Sequence, residues 1–288
     1  MQLEAFAKIN WSLDIVGIRE DGYHLMDMVM QPVSISDDIF LLPSEKMTIT
    51  TSGTPSSRAD ESNLALRAAR IMQRETGTTE NVSIHVHKHI PIGAGMGGGS
   101  ADAAAVLFGL NILWKAGFSP AELETLGLSL GADVPFCLRG GLTRTTGIGE
   151  ILEDKFCRSN FWLLIIQPCR GLSTREIFAS WQPDNVMHPD TSSVLEALEK
   201  GDPDLLSRAV GNVLEPVSAA CRPEIRQAKE ALILAGARTA EMTGSGSAVF
   251  GLFRTRCDAQ KAFSSLAGRW KNIYMCHTQS DSIRMMEE

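Results

Sequence analysis

The chain has 288 residues, of which 44% are hydrophobic and 21% charged, so its composition predicts a globular protein with a substantial core. Its formal net charge of −7 argues against a general nucleic-acid binder, because such proteins usually present a basic face. The longest purely apolar run, Phe161–Ile166, is too short to span a bilayer, so no membrane partner is predicted. Six scattered cysteines predict a reducing, cytoplasmic location.

The first half of the chain alternates polar and apolar residues in the manner of β-strands. Residues 3–17 predict a strand with Ile9 and Trp11 on its apolar face and Lys8 and Asn10 on its polar face. An Asp-Gly turn then predicts a hairpin. The further predicted strands are Leu25–Pro32, Ile39–Leu42 paired with Met47–Thr51, and Val82–Ile90.

Helices are predicted where apolar residues recur at helical spacing behind a capping residue. In the first half they are Ser62–Thr76, capped by Asp60 or Ser62, then Ser100–Trp114 and Pro120–Leu130. In the second half they are Ser173–Trp181, Thr191–Lys200, Asp204–Leu214, Glu224–Ala235 and Asp258–Leu266. The predicted strands of this half are Phe161–Gln167, a strand interrupted by Thr243–Ser247 that resumes at Ala248–Phe253, and Asn272–His277. This order predicts an α+β protein, not a doubly wound sheet, with a domain boundary near residues 150–160.

A glycine-rich segment, Pro91–Ala105 (PIGAGMGGGSADAAA), joins a predicted strand to a predicted helix. Glycines let the backbone adopt positive φ and let a ligand approach the main chain closely. A helix that begins near Ser100 adds unpaired N–H groups and the positive end of its dipole. Together these features predict a phosphate-binding loop, and the alternative is a connection that only packs the helix on the sheet.

Other nucleotide-binding patterns fit this loop poorly. Gly93, Gly95 and Gly98 satisfy G-x-G-x-x-G, but the preceding strand alternates, whereas a dinucleotide fold has a buried parallel strand there. A Walker A loop requires Gly-Lys, which this chain lacks. A dinucleotide-dependent oxidoreductase and a non-catalytic nucleotide-binding module stay open as alternatives to an enzyme that transfers phosphate.

Several polar residues have plain structural interpretations. The histidines His85, His87 and His89 share one strand face, and a metal site would need a further ligand, so we interpret them as solvent-facing. By sequence alone Asp133 is interpreted as a turn or cap residue. For Lys8 two interpretations stay open: a surface lysine, or, together with Asn10 on the same strand face, a polar group that reaches into a shared cleft.

Three segments, AFAKINWSLD (Ala5–Asp14), PIGAGMGGGSADAAA and TGSGSAVFGLF (Thr243–Phe253), resemble the three motifs of the galactokinase, homoserine, mevalonate and phosphomevalonate (GHMP) kinase superfamily. Within it, AKIN followed by REDGYH (Arg19–His24) and LGADVPF (Leu130–Phe136) is similar to the cytidyl-methylerythritol kinases of the non-mevalonate isoprenoid pathway. The resemblance spans nearly the whole chain.

The resemblance implies an N-terminal α+β domain over residues 1–155 that binds ATP, and a ferredoxin-like C-terminal domain over residues 156–288. The active site is expected in the cleft between them. The implied reaction is ATP-dependent phosphorylation of the 2-hydroxyl of a cytidine-diphosphate-linked methylerythritol, giving the 2-phosphate and ADP. ATP and Mg²⁺ are the implied cofactors, the partners are small molecules, and no obligate protein partner is implied.

The resemblance also implies roles for single residues. Asp133 matches the catalytic base, at the substrate, and Lys8 matches the catalytic lysine. The ATP-binding positions are Asn63, Lys88, Pro91, Ile92, Gly93, Ala94, Gly95, Met96, Gly97, Gly98, Gly99, Ser100 and Ala101, with Ser100 also toward the metal. The other substrate-binding positions are Asn10 and Thr174 near the acceptor hydroxyl, Tyr23, His24 and Phe178 around the cytidine, and Gly244 and Gly246 lining the cleft.

Two positions depart from the family pattern. Trp11 stands where leucine is usual, and because it lies on the apolar face we expect only altered packing. Ala101 replaces a frequent serine, which leaves Ser100 as the sole hydroxyl at that place in the loop.

Overall fold

Two β-sheets with packed helices organise residues 1–53, 59–183 and 186–286, the part of the chain that this computed structural model describes. The strands are β1 (Gln2–Ile18), β2 (His24–Ser44), β3 (Thr48–Gly53), β4 (Asn81–Lys88), β5 (Leu142–Gly147), β6 (Ile151–Lys155), β7 (Trp162–Ile166), β8 (Gly211–Asn212), β9 (Thr239–Met242), β10 (Val249–Phe253), β11 (Ile273–His277) and β12 (Ile283–Met285). The helices are α1 (Leu64–Thr76), α2 (Gly98–Leu113), α3 (Pro120–Leu128), α4 (Val134–Arg139), α5 (Thr174–Ser180), α6 (Thr191–Lys200), α7 (Pro203–Ala209), α8 (Glu215–Cys221), α9 (Glu224–Leu234) and α10 (Arg256–Leu266).

The larger sheet is built around the long antiparallel hairpin of β1 and β2. Its strand order is β12-β1-β2-β4-β3, with β5 and β6 continuing from β2 and β8 beside β1. The predicted pairing of Ile39–Leu42 with Met47–Thr51 is wrong, because residues 39–42 are the far end of β2 and β3 pairs in parallel with β4. The predicted strand end at Pro32 is instead a register shift against β1, between Phe6 and Lys8, which accommodates the missing proline N–H.

The smaller sheet is antiparallel, with strand order β11-β7-β10-β9. Taken in chain order, its fourth strand lies beside the first and its third beside the second, which is the ferredoxin-like arrangement. Trp11 of β1 is fully buried, and its ring contacts those of Phe161 and Phe250 edge-on, with centroids 5.6 Å and 5.4 Å away. The core is therefore continuous across both sheets, and a domain division at residue 155 stays a prediction.

Helix ends and short elements account for most of the differences from the sequence predictions. Asn63 caps α1 by accepting from the backbone N–H of Ala65, so Asp60 and Ser62 are not the cap. The predicted helix over 204–214 ends at Ala209, because the chain turns extended at Val210 and enters β8. Helices α4 and α8 have six and seven residues and were missed, since so few residues show no periodicity.

Helix α2 is the central helix of the first half and has a different environment from the one its sequence predicts. Residues 101–107 are buried on every side, because α2 packs between α1, α4 and the hairpin strands. An amphipathic helix with one apolar face would leave some of them exposed. Although α2 is strongly apolar, no helix among the described residues is long and apolar enough to cross a membrane.

Candidate active site

The segment between β4 and α2 is a bend of glycines that opens toward a cleft. Gly93, Gly95 and Gly97 have φ of +68°, +77° and +71°, a region that side-chain-bearing residues rarely adopt. Gly97 is the N-cap of α2 and offers no side-chain cap, so the first N–H groups of the helix are left for an outside acceptor. The geometry is that of an anion site.

Contacts from both halves of the chain hold this loop in place. The backbone N–H of Lys8 donates to the carbonyl of Met96 at 3.0 Å, and that of Ala248 to the carbonyl of Ala94 at 3.1 Å. A Cβ at Gly95 would lie 2.3 Å from the carbonyl oxygen of Thr243, so only glycine permits this approach. The three motifs that are separate in sequence therefore meet at one place.

Lys8 and Asn10 project from β1 into the same cleft. Lys8 Nζ donates to Asn10 Oδ1 at 2.9 Å and lies 3.5 Å from Asp133 Oδ2. The Lys8 side chain is only 4% exposed, which excludes a surface lysine and agrees with the alternative that Lys8 and Asn10 reach into one cleft. Asp133 precedes α4 but makes no capping hydrogen bond, and its side chain is 35% exposed toward the cleft. The Asp133 carboxylate is thus held beside the Lys8 ammonium and not used as a helix cap.

The third motif and helix α5 complete this side of the cleft. Asn10 Oδ1 accepts from the backbone N–H of Gly244 at 3.0 Å, which ties β1 to the third motif. Thr174 Oγ1 and Ser245 Oγ lie 2.9 Å apart and share a hydrogen bond. The first residue of α5 is therefore fixed beside the residues that surround Lys8.

An aromatic pocket lies at the other end of α5. The His24 ring packs against Phe178 with centroids 5.4 Å apart, and against Trp181 at 5.7 Å. Tyr23 stands at the hairpin tip, 58% exposed, with the guanidinium of Arg19 over its ring. Trp181, which sequence analysis missed as part of this pocket, is buried behind His24. The pocket offers both an aromatic face and a polar ring edge.

These elements surround a single cleft of ≈ 820 Å³, within the usual range for a small-molecule site. Of the sequence-predicted site residues, all but Ala101 and Gly246 line it. Ala101 is buried inside α2, and Gly246 faces Met242, so neither reaches the cleft. The lining residues that sequence analysis missed include Leu13, Met26, Met28, Ser62, Leu64, Ile90, Asp102, Ile148, Arg175 and Ser245.

Beneath the glycine loop lies a buried ion cluster of Asp37, Lys88 and Asp102. Lys88 Nζ donates to Asp37 and, at 2.7 Å, to Asp102 Oδ2, and its side chain is 3% exposed. Asp37 Oδ1 also accepts from the backbone N–H groups of His89 and Ile90, at 2.6 Å and 2.8 Å. Lys88 was predicted beside the nucleoside of ATP, but its ammonium is held by two carboxylates under the loop.

Burial and charge act in opposite directions in this cluster. Burial lowers the pKa of Lys88, but the two carboxylates outweigh it and the net direction is upward. Burial raises the pKa of Asp102 to about 7, against the lowering effect of Lys88. Asp102 Oδ1 is buried without a hydrogen-bond partner in the described structure, in keeping with a costly charge there.

We expect an Asp102→Asn variant to gain stability relative to the wild type as pH rises. The folded protein retains the Asp102 proton where the unfolded chain has lost it, so this contribution to stability disappears as pH rises from 3.8 through about 7. Urea unfolding of both proteins at about pH 5 and about pH 8 measures the difference, with Asp154→Asn as an exposed control. If the difference in free energy of unfolding between Asp102→Asn and the wild type does not change with pH, the prediction is contradicted.

His85 and His87 on β4, and His89 directly after it, have structural partners. The His85 ring is within hydrogen-bond distance of Thr50 and Ser52, and the His87 ring of Ser52, so β3 half-buries both. Only His89 is largely exposed, beside Asp38, and the solvent-facing interpretation is wrong for the other two. No group of three or more His, Cys, Asp or Glu in the described part of the chain is placed to hold a metal ion.

Comparisons with known proteins show which family the chain is similar to. Two family models match, "GHMP kinases N terminal domain" over residues 63–141 and "GHMP kinases C terminal" over residues 194–272. The chain is 40% identical to the 4-diphosphocytidyl-2-C-methyl-D-erythritol kinase of Geobacillus thermodenitrificans, over 95% of each chain. It is 38% identical to that of Alkaliphilus metalliredigens, over 100% of this chain and 99% of the relative.

Solved structures give the same result. A crystal structure of 4-(cytidine 5'-diphospho)-2C-methyl-D-erythritol kinase matches with a TM-score of 0.84 and 31% identity, covering 97% of this chain and 100% of that one. Homoserine kinase from Cytophaga hutchinsonii, 19% identical, covers 99% of this chain and 97% of its own with a TM-score of 0.80, and shares the fold. The predicted α+β, two-part kinase fold is confirmed. The chain therefore belongs to the GHMP kinases and, within them, to the 4-diphosphocytidyl-2-C-methyl-D-erythritol kinase family.

Proposed function

We propose that this protein transfers the γ-phosphoryl group of ATP to the 2-hydroxyl of 4-diphosphocytidyl-2-C-methyl-D-erythritol, giving the 2-phosphate and ADP. The reaction belongs to the methylerythritol phosphate route to isoprenoid precursors. The observation that carries this proposal is the position of Asp133 Oδ2, 3.5 Å from Lys8 Nζ, in the one cleft that also holds the glycine loop and the aromatic pocket. The six unpaired cysteines support a cytoplasmic location.

The glycine loop is proposed to bind the triphosphate of ATP. Phosphoryl transfer depends mainly on alignment and on neutralising the negative charge that spreads over the transferred group. Free N–H groups at the start of α2 and the positive end of its dipole supply both without a P-loop lysine. Asn63 lines the cleft at the start of α1, where the nucleoside of ATP is proposed to lie.

The residues present fit a Mg²⁺ ion carried by the nucleotide phosphates, not a dedicated metal cage. Mg²⁺ usually keeps several waters and takes one or two protein oxygens in addition to phosphate oxygens. The Ser100 hydroxyl on the first turn of α2 and the Asp133 carboxylate both line the cleft and would provide such oxygens. When bound, Mg²⁺ offsets negative charge on the phosphate oxygens.

Asp133 and Lys8 are proposed to act on the acceptor hydroxyl. As the oxygen–phosphorus bond forms, the hydroxyl proton passes to the Asp133 carboxylate, and the bond from phosphorus to the bridging oxygen of ADP breaks. Lys8 Nζ stabilises the negative charge that develops on the acceptor oxygen. Asn10 orients Lys8 through the 2.9 Å hydrogen bond, and Thr174 is proposed to contact the polyol nearby.

A Phe178→Ala variant is expected to bind the cytidyl substrate more weakly while its affinity for ATP is unchanged. Base–aromatic stacking contributes about 1–3 kcal/mol, so we expect the KM for the cytidyl substrate to rise roughly 5- to 150-fold. Steady-state kinetics with each substrate varied in turn measures this. The matched control is Phe156→Ala, which removes a ring that is 67% exposed outside the cleft. An equal rise in the KM for ATP contradicts the proposed division of the cleft.

The proposed function is tested by ADP release from ATP and Mg²⁺ in the presence and absence of the cytidyl substrate. We expect release only when that substrate is present, with a product that carries one more phosphate on the polyol. Homoserine and mevalonate serve as alternative acceptors, since they are substrates of other kinases with this fold. Preferred phosphorylation of either one refutes the proposal.

A further inference from the structure

The cleft must accept several phosphates but offers few uncommitted positive charges. Its lining Lys and Arg residues, among those the structure describes, are Lys8, Lys88 and Arg175. Lys8 lies beside Asp133, and Lys88 is held between two buried carboxylates. In the proposed function the backbone of the glycine loop neutralises the triphosphate of ATP. The diphosphate of the cytidyl substrate is then left without an evident partner.

Arg175 is the lining cation that is available for that role. Its side chain is exposed, and within the described part of the chain no carboxylate oxygen lies within 4.0 Å of it. An arginine guanidinium binds phosphate through two parallel N–H donors and stays charged at all relevant pH values. An unpaired guanidinium at the wall of a phosphate-binding cleft is therefore placed to take an anionic ligand.

Helix α5 carries Arg175 between Thr174 and Phe178, which are proposed to contact the polyol and the cytosine base. Thr174, Arg175 and Phe178 all line the cleft, as expected of residues three and four apart on one helix face. Ser173 caps the helix by accepting from the backbone N–H of Glu176, and the hydrogen bond of Thr174 with Ser245 fixes its first turn. The position of Arg175 is therefore set by an anchored helix.

We propose that Arg175 binds the diphosphate of the cytidyl substrate, and this inference rests on the proposed function. The substrate then lies along α5 in chemical order, with the base at Phe178, the diphosphate at Arg175 and the polyol at Thr174. The side chains of Arg175 and Phe178 begin roughly 5–6 Å apart, one helical turn, and the ribose bridges that separation. Arg175 thus distinguishes a cytidine diphosphate derivative from uncharged cytidine.

The test compares the dissociation constants of cytidine and of CDP for the wild type and an Arg175→Gln variant, measured by calorimetry without ATP. Charge-assisted hydrogen bonds to phosphate predict that the variant binds CDP roughly 10-fold or more weakly and cytidine unchanged. Arg175→Lys keeps the charge without the paired donors and is expected to recover part of the CDP affinity. Arg170→Gln is the matched control, since it removes one exposed arginine outside the cleft.

The results separate this inference from the proposed function. If wild-type protein phosphorylates the cytidyl substrate but Arg175→Gln leaves the ratio of the two affinities unchanged, the assignment of Arg175 is wrong and the proposed function stands. A loss of ATP affinity in the variant, with CDP binding unchanged, also overturns it. If the wild type binds neither cytidine nor CDP, the proposed function itself fails.

Discussion

An Asp133→Asn variant is expected to bind both substrates while its kcat falls roughly 10²- to 10⁴-fold, the usual contribution of a general base. The amide has nearly the shape of the carboxylate but cannot accept the acceptor's proton. Folding should be intact, because Asp133 makes no capping hydrogen bond to α4, its side chain is 35% exposed, and the Lys8 ammonium keeps its hydrogen bond to Asn10 Oδ1. The large loss is therefore expected in turnover and not in stability.

Single-turnover kinetics and calorimetric binding measure the two quantities separately. Asp154→Asn is the matched control, because it removes a carboxylate that is 74% exposed and does not line the cleft. We expect that control to keep wild-type turnover. If Asp133→Asn keeps a kcat within a few-fold of the wild type, with Lys8 in place, the proton leaves the acceptor by another route and the assigned role is wrong.

Much of the site was predictable because it depends on local pattern. The period-two alternation of β1 is sufficient to place Lys8 and Asn10 on one face, and the structure has both in the cleft. Gly93, Gly95 and Gly97 have the positive φ values that glycine enrichment predicts. What alternation could not show is that the third motif and the glycine loop enclose the polar face of β1, so that Lys8 is buried.

The rest of the cleft depends on how distant segments meet. Met26 and Met28 line it because of their register against β1, which shifts at three places, one of them at Pro32. The ion cluster draws Asp37, Lys88 and Asp102 from β2, β4 and α2, and each alone resembles an ordinary charged residue. Arg175 was missed for a similar reason, since its role depends on where the first turn of α5 is anchored.

A Lys88→Met variant is expected to lower the free energy of unfolding by about 3–5 kcal/mol, because removing one partner of a buried ion cluster leaves uncompensated charge. The side chains of Asp37 and Asp102 are at most 4% exposed, so water cannot replace the missing ammonium. Urea unfolding measures the loss. Lys200→Met is the control, because it removes an exposed ion pair with Glu196, four residues earlier in α6. We expect little change in its free energy of unfolding.

The triple variant Asp37→Asn, Lys88→Met, Asp102→Asn distinguishes charge from packing as the cause. It is expected to recover part of the stability that Lys88→Met loses, because no unpaired charge stays buried. The side-chain carbonyl oxygen introduced at position 37 still accepts from the two backbone N–H groups. His89 and Ile90, which carry those N–H groups, directly precede the glycine loop. We therefore also expect Lys88→Met alone to show a raised KM for ATP. If Lys88→Met unfolds like Lys200→Met and keeps its ATP affinity, the cluster does not support the loop.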